Sequence, residues 1–336
     1  MNKNSDKKVS IALCTYNGER FLLEQLESLA AQTVVPFELV ICDDVSSDST
    51  REILEKFAAN ANFPVRLYFN SENLGFIKNF EKAISLCNGE IVFLSDQDDK
   101  WRPDKIETML VPFSDPGVGL VFSNATIIDE QNNIIGESHW RAAFFTPDIQ
   151  RKFRQGEAYK TLYLKTIVSG CNMAFRSKWW PLIKPFPQEI LFLHDAWIAL
   201  FASLFAEVVI IDEPLIGYRI HANQSTAMDR QKVSAQEQIA KARSGEKGQQ
   251  YQKHLNQMNA IRERVLRLEK EIPPEKRQYL LQCIQEHERH LTMRLNVSHN
   301  ALARCRKILR ELATGRYHRF SNGFKSALGD LLRKPA

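Results

Sequence analysis

The chain has 336 residues, 44% of them hydrophobic and 25% charged, which suits one large α/β domain with an appendage. Its six cysteines, at positions 14, 42, 87, 171, 283 and 305, form no CxxC pairing; this argues against a disulfide framework or zinc site and for reduced thiols. Net charge is +5 but unevenly spread. Residues 228–336 carry 23 Lys and Arg against 11 Asp and Glu, a net of +12, while residues 1–227 carry 22 against 29, a net of −7.

The opening MNKNSDKKVS lacks the apolar run of a signal peptide, so the expected location is cytoplasmic. In chain order, Val9–Cys14 reads as a short buried strand, followed by a helix whose apolar positions Phe21, Leu22, Leu26 and Leu29 share one face. Phe37–Cys42, Val65–Phe69, Glu90–Ser95 and Val118–Ser123 read as further strands. Helices are expected between the first four, after Ser46–Ser49 and after Asn73-Leu74-Gly75. Such alternation predicts a mostly parallel sheet with helices on both faces, and ligands beyond the carboxyl ends of its strands.

Asp129–Asn133 is expected as a hairpin tip, residues 137–166 as a long loop, and Cys171–Arg176 as a strand. Ile190–Ile211 is apolar enough to suggest a membrane span. It carries His194, Asp195 and Glu207, each expensive in a bilayer, so it reads as a buried helix and strand. Val208–Asp212 and Leu215–Ile220 are expected as two separate strands.

Beyond Ala227 the texture becomes helical, dividing the chain into an expected catalytic domain, 1–227, and a basic helical extension, 228–336. Tyr251, Met258 and Val265, with His254, Ile261 and Leu268, follow a short heptad. After Pro273-Pro274, one helix is expected to carry Ile284, Leu291, Leu295, Leu302, Leu309 and Leu312. The last stretch places Tyr317, Phe320, Phe324, Leu328, Leu331 and Leu332 on one face, flanked by Arg316, Arg319, Lys325, Arg333 and Lys334. This is the composition of a helix lying on an anionic membrane, or of one docked on its own domain.

The chemistry concentrates at Leu94-Ser95-Asp96-Gln97-Asp98-Asp99, carboxylates placed just past an apolar strand. A D-x-D triplet alone is common and can be a capped turn. Its position at a strand end is what makes it a candidate site for Mg²⁺ or Mn²⁺, which take oxygen ligands and can neutralise a phosphate leaving group. No P-loop or GxGxxG run is present, which argues against ATPase and dinucleotide chemistry. The basic tail comes with no nucleic-acid-binding module, so no nucleic-acid partner is expected.

Four segments, in order, resemble the family-2 glycosyltransferases of GT-A fold: Val9 to Gly18, Glu38 to Asp44 with Ser46 and Asp48, Asn73-Leu74-Gly75 through Phe80, and Gly89 through Ile106. The resemblance implies a donor pocket lined by Cys14, Thr15, Tyr16, Asn17, Asp43, Asp44, Lys78, Asp96 and Gly170. Here Cys14 stands where a small hydroxyl residue is frequent, and Lys78 stands in for an arginine. Asp98 is implied as the metal ligand, with His221 of Tyr218-Arg219-Ile220-His221 beside it and Asp99 structural. Leu193-His194-Asp195-Ala196-Trp197 resembles the block holding the catalytic base, which assigns that role to Asp195; Trp101, His194 and Trp197 are implied on the acceptor side.

The expected activity is therefore inverting, metal-dependent transfer from a nucleotide-diphosphate sugar to a surface-polysaccharide acceptor carried on a lipid. The resemblance is strongest to the O-antigen and capsule branch, which suggests dTDP-rhamnose as donor. The alternatives are a sugar-1-phosphate nucleotidyltransferase, for which the basic Gly-rich loop is absent, and a non-catalytic scaffold of an assembly complex.

Overall fold

The computed structural model describes residues 7–187, 191, 193–222, 224, 246–296 and 300–332. They form two compact units, one within residues 1–186 and 192–227, the other within 187–191 and 228–336.

In the first unit, strands and helices alternate from the start. They are β1 (Val9–Thr15), α1 (Leu22–Ala30), β2 (Glu38–Asp43), α2 (Thr50–Asn60), β3 (Val65–Phe69), α3 (Gly75–Leu86) and β4 (Ile91–Ser95). A short β5 (Lys100–Trp101) and α4 (Lys105–Leu110) lead to the long β6 (Val118–Ile128), and β7 (Ile134–Gly136) folds back on it. Then come α5 (His139–Ala142), α6 (Pro147–Arg154), α7 (Tyr159–Leu162), β8 (Met173–Arg176), α8 (Trp180–Ile183), α9 (His194–Phe205) and β9 (Glu207–Arg219).

The sheet order is β3-β2-β1-β4-β8-β6-β9-β5, with β7 on β6. The four longest ladders, β1–β2, β1–β4, β2–β3 and β6–β9, are parallel; β8 runs antiparallel between β4 and β6. Every residue of β1, β2 and β4 is buried, as continuous apolar strands are when helices cover both sheet faces. Leu22, Leu26 and Leu29 of α1 are fully buried, which is the face that the spacing predicts. All of α9 except Phe205 is buried, so this apolar helix is a core element. Among the described residues no helix is long and apolar enough to cross a membrane.

Several expectations need correction. Residues 137–166 are not a long loop: α5, α6 and α7 bury Trp140, Phe145, Phe153, Tyr159, Leu162 and Tyr163. Their spacing is irregular because each helix has only one or two turns, too few to show a period. Residues 207–219 form one strand, not two; it crosses Pro214, which sits opposite Asn124 between two shifts of register. The helix beginning at Pro274 ends at Leu295, and a new one starts at Ala301, where the Asn300 side chain accepts from Leu302 N and Ala303 N.

In the second unit, helices Glu246–Arg267 and Pro274–Leu295 pair through Tyr251, Met258, Ile261, Val265, Leu280, Ile284 and Leu291, all buried. The terminal stretch is not one amphipathic helix. Helix Arg316–Phe320 and helix Phe324–Leu332 are separated at Gly323, whose φ is +54°. Tyr317 is buried, whereas Phe324, Leu328 and Leu332 are exposed. Arg333 and Lys334 lie outside the described residues.

Candidate active site

The carboxyl ends of β1, β2 and β4 carry the polar residues that the fold cannot use as core, as expected at the open edge of a parallel sheet. At the end of β2 the two acids hold the chain in place. Asp43 accepts from Thr15 Oγ1 (2.8 Å), Ser46 Oγ (2.5 Å) and Ser46 N (3.0 Å), tying β1 to the turn that follows. In that turn Val45 has φ +65°, a strained conformation for a β-branched residue. The Asp44 carboxylate accepts from Asn70 Nδ2 and Leu74 N at 2.8 Å and from Gly75 N at 2.9 Å, fixing the entry to α3.

Tyr16 is 52% exposed, and its backbone is clamped by the Gln97 amide, which accepts from Tyr16 N (2.9 Å) and donates to Tyr16 O (3.1 Å). Asn17, with φ +47°, donates its N–H to Ser46 Oγ and accepts from Ser47 N. Cys14 is buried at the end of β1; burial first, then the nearby Cys42, Asp96 and Asp44, push its thiol well up, so it stays protonated. Lys78 is engaged with Glu81 at 3.1 Å.

The acidic turn after β4 is held from behind. Arg219, at the end of β9, is fully buried and donates to Asp98 O (2.8 Å), Asp129 O (3.1 Å), Glu24 Oε2 (2.7 Å) and Asn132 Oδ1 (3.0 Å). Its own N–H donates to Asp99 Oδ1 at 3.1 Å. Asp98 Oδ2 lies 2.8 Å from His221 Nε2, so two residues 123 positions apart meet at one point. Asp96, Asp99 and Cys171 form a second group, with potential ligand atoms all within 4.8 Å of one another. The Asp99 Oδ2 oxygen is buried with no hydrogen-bond partner.

The electrostatics follow from this crowding. The Asp96 carboxyl is pushed well up by burial and then by the charges of Asp99, Asp98 and Asp195. Asp99 is raised to about 7 by burial and by Asp98. Behind them Lys105 is fully buried, donates to Cys171 O at 2.5 Å and lies over the Trp101 ring; burial lowers it to about 7. Four acids thus converge where formal positive charge is scarce, an arrangement that a bound cation would relieve.

Asp195 opens α9. Its carboxylate accepts from Gly170 N (3.2 Å) and Ala196 N (2.6 Å), and burial raises it to about 6. His194 beside it stacks on Phe80 with ring centroids 4.1 Å apart, and both of its ring nitrogens are buried without a hydrogen-bond partner. Burial lowers it to about 3, so it is neutral. Gly170 packs closely here: a Cβ at this position would come within 3.1 Å of His194 Nε2.

The structure therefore brings Asp96, Asp98, Asp195, Gly170 and His221 to one edge of the sheet, with Asp195 close enough to Asp96 to shift it. Trp101 and Trp197 are placed differently. Trp101 is buried against Phe93 and Lys105, and Trp197 is buried with its indole N–H donating to Ile183 O at 3.0 Å, so both are core side chains. Gln97, Lys105 and Cys171 also belong to this site, although nothing in the sequence assigns them a role there. A lysine at the start of a helix carries no mark of burial in the sequence, and the Gln97 clamp spans 81 residues.

The chain is similar to several known proteins. An uncharacterized glycosyltransferase of Nostoc sp. is 26% identical over 240 residues, 71% of this chain and 72% of that protein. Chondroitin synthase of Escherichia coli is 32% identical over 132 residues, 39% of this chain and 19% of that much longer protein. Among solved structures, TarS of S. aureus in complex with UDP-GlcNAc superposes with a TM-score of 0.56 at 20% identity, covering 87% of this chain and 76% of the other. That likeness is one of fold, the GT-A architecture. The profile of glycosyl transferase family 2 matches residues 10–180, just over half of the sequence; the chain belongs to that family and is a glycosyltransferase.

Proposed function

We propose that this enzyme moves a sugar from a nucleotide diphosphate to a hydroxyl of a growing surface polysaccharide, with inversion at the anomeric carbon. The observation that carries the reading is the convergence of Asp96, Asp98 and Asp195 with His221 at the open edge of the sheet. In this reading Asp195, raised to about 6 by burial, takes the proton of the acceptor hydroxyl as it attacks. Gly170 N–H and Ala196 N–H hold its two oxygens in place. Thr15, Tyr16 and Asn17 border the nucleoside; Asp43 and Asp44, engaged with the loops around it, shape that pocket and offer remaining lone pairs to the base and ribose.

Asp98 and His221 are the proposed holders of Mg²⁺ or Mn²⁺, with Asp96 toward the sugar. An oxygen and an imidazole nitrogen 2.8 Å apart fit a shared divalent cation, whereas the thiol in the Asp96, Asp99 and Cys171 group is a poor ligand for either metal. The ion's contribution, when bound, is fixed positive charge against the departing diphosphate.

Chondroitin synthase is a polysaccharide-building relative, and TarS binds UDP-GlcNAc. The donor panel therefore sets UDP-GlcNAc beside dTDP-rhamnose, our first choice. Nucleotide-diphosphate release is measured for each sugar with Mg²⁺, with Mn²⁺ and with chelator. Release from one donor that stops on chelation supports the reading, and equal release with chelator present sinks the metal assignment.

The proposed acceptor is lipid-linked, at the cytoplasmic face of a membrane. Exposed Phe324, Leu328 and Leu332 beside Lys325 suit an anionic surface. Because Tyr317 is buried, point substitution is a cleaner test than truncation. Phe324→Ser with Leu328→Ser should reduce co-sedimentation with anionic liposomes, and unchanged binding rejects membrane docking.

A further inference from the structure

A second pocket, about 400 Å³, lies between β6, β9 and the 138–150 segment, with Asn124, Arg141, Phe144, Gln150 and Asp212 in its walls. We propose that it is a subsite for an acidic sugar unit of the acceptor glycan. This assignment rests on the glycosyltransferase reading for the ligand's role.

The floor is rigid. Trp140 and Phe145 are buried against Phe122 and Phe153 with ring centroids 4.8 to 5.8 Å apart, and Trp140 Nε1 donates to Ser123 O. Next to Phe145 the chain reverses. Phe144 takes φ +54°, a conformation that costs a bulky residue on the order of 1–2 kcal/mol, and its ring is 58% exposed. Glycine is the ordinary residue for such a turn. A phenylalanine here spends backbone strain to hold an aromatic face at the rim of a cavity, a surface suited to the C–H face of a sugar ring.

The polar groups complete the pattern. Asn124 is anchored by Ser138 Oγ (3.0 Å) and Trp140 N (3.2 Å), and Gln150 Nε2 donates to Phe145 O (2.9 Å), so both planar amides are fixed in the wall. Asp212 is already neutralised by Arg154 at 2.6 and 2.8 Å. Arg141 is exposed and pairs with no carboxylate among the described residues, which leaves one uncompensated guanidinium in the wall of the same pocket. A guanidinium fork matches a carboxylate in two parallel hydrogen bonds. The volume lies within the usual range for small-ligand sites.

Strand register places this pocket on the same edge as the acids. Phe93, Ala174 and Val121 lie in one row across β4, β8 and β6. Three residues further toward that edge are Asp96, Cys171 and Asn124. Asn124 is therefore two strands from the acidic turn, roughly 10 Å at ordinary strand spacing.

The test is ligand-observed NMR titration of the full chain, without nucleotide, with methyl β-glucuronide, methyl β-glucoside and inorganic phosphate as probes. The glucuronide should bind best, and Arg141→Gln and Phe144→Ala should each weaken it about tenfold. Phe144→Gly should also lose binding while its Tm stays at or above that of the wild type, because glycine relieves the strained backbone. Equal binding of the glucoside, preference for phosphate, absence of glucuronide binding, or unchanged binding in the variants would each overturn the subsite. Failure of the donor-release experiment, with glucuronide binding intact, would instead sink the donor reading alone.

Discussion

Two buried arginines, one in each unit, sit at the centre of polar networks that end differently. Arg219 stitches the acidic turn to β9, α1 and the β6–β7 hairpin, but the carboxylates in front of it stay crowded, and Asp99 Oδ2 has no hydrogen-bond partner. Arg294, in the helical unit, gives Nε to Asp330 Oδ2 (2.6 Å) and NH1 to Ser321 Oγ (2.6 Å), and Tyr317 donates to the same aspartate (2.9 Å). Around it His290 bridges Glu311 and Ser321, at 2.9 Å each. One network closes on itself and matches its charges. The other is left short of positive charge at its outer edge, where the proposed cation and diphosphate would lie.

Three experiments test this contrast. The largest effect is expected from Asp195→Asn, which keeps the planar size of the side chain but removes the proposed base and one of its two acceptor oxygens: transfer should fall about 10²- to 10⁴-fold, with donor binding by calorimetry unchanged. Retained transfer would remove Asp195 from the chemistry.

Next, Arg219→Leu and Arg294→Leu should each cost about 3–5 kcal/mol in chemical denaturation, because each strands buried partners. Arg219→Leu should also abolish transfer under folding conditions, whereas Arg294→Leu should leave the specific activity of the folded fraction intact. Equal loss of activity in both would erase the distinction between the two networks.

The smallest effect is on pH. The base proposed here, Asp195, can take a proton only when ionised, so kcat/KM should rise with pH through about 6 and level off above it. The sign is fixed by burial, which favours the neutral acid and moves the limb upward from the ordinary carboxylate range near 4. A limb near pH 4 would show that Asp195 is solvated during turnover.

Much of this site was legible before folding because its parts are local. Apolar strands ending in acids at 43–44 and 96–99, and a His-Asp pair opening an apolar helix, can be read from neighbours in the chain. The parallel ladders β1–β2, β2–β3 and β1–β4 follow from the same alternation. The terminal helix shows the limit of this reading: one apolar face in sequence became a buried Tyr317 and an exposed Phe324, because the chain turns at Gly323 and Asp330 is drawn inward to Arg294.

What the sequence determined by itself was the family, the order of strands and helices in the first hundred residues, and the acids that line the sheet edge; each rests on short-range pattern and residue chemistry. Which acids are held and which are left crowded was set by folding. It turned Trp101 and Trp197 inward, carried His221 to Asp98 across 123 residues, buried Lys105 behind the turn and set Phe144 at the rim of a second pocket. Those outcomes depend on long-range pairing and desolvation, and a side chain's charge or exposure is fixed by the neighbours that the fold brings to it rather than by those beside it in the chain.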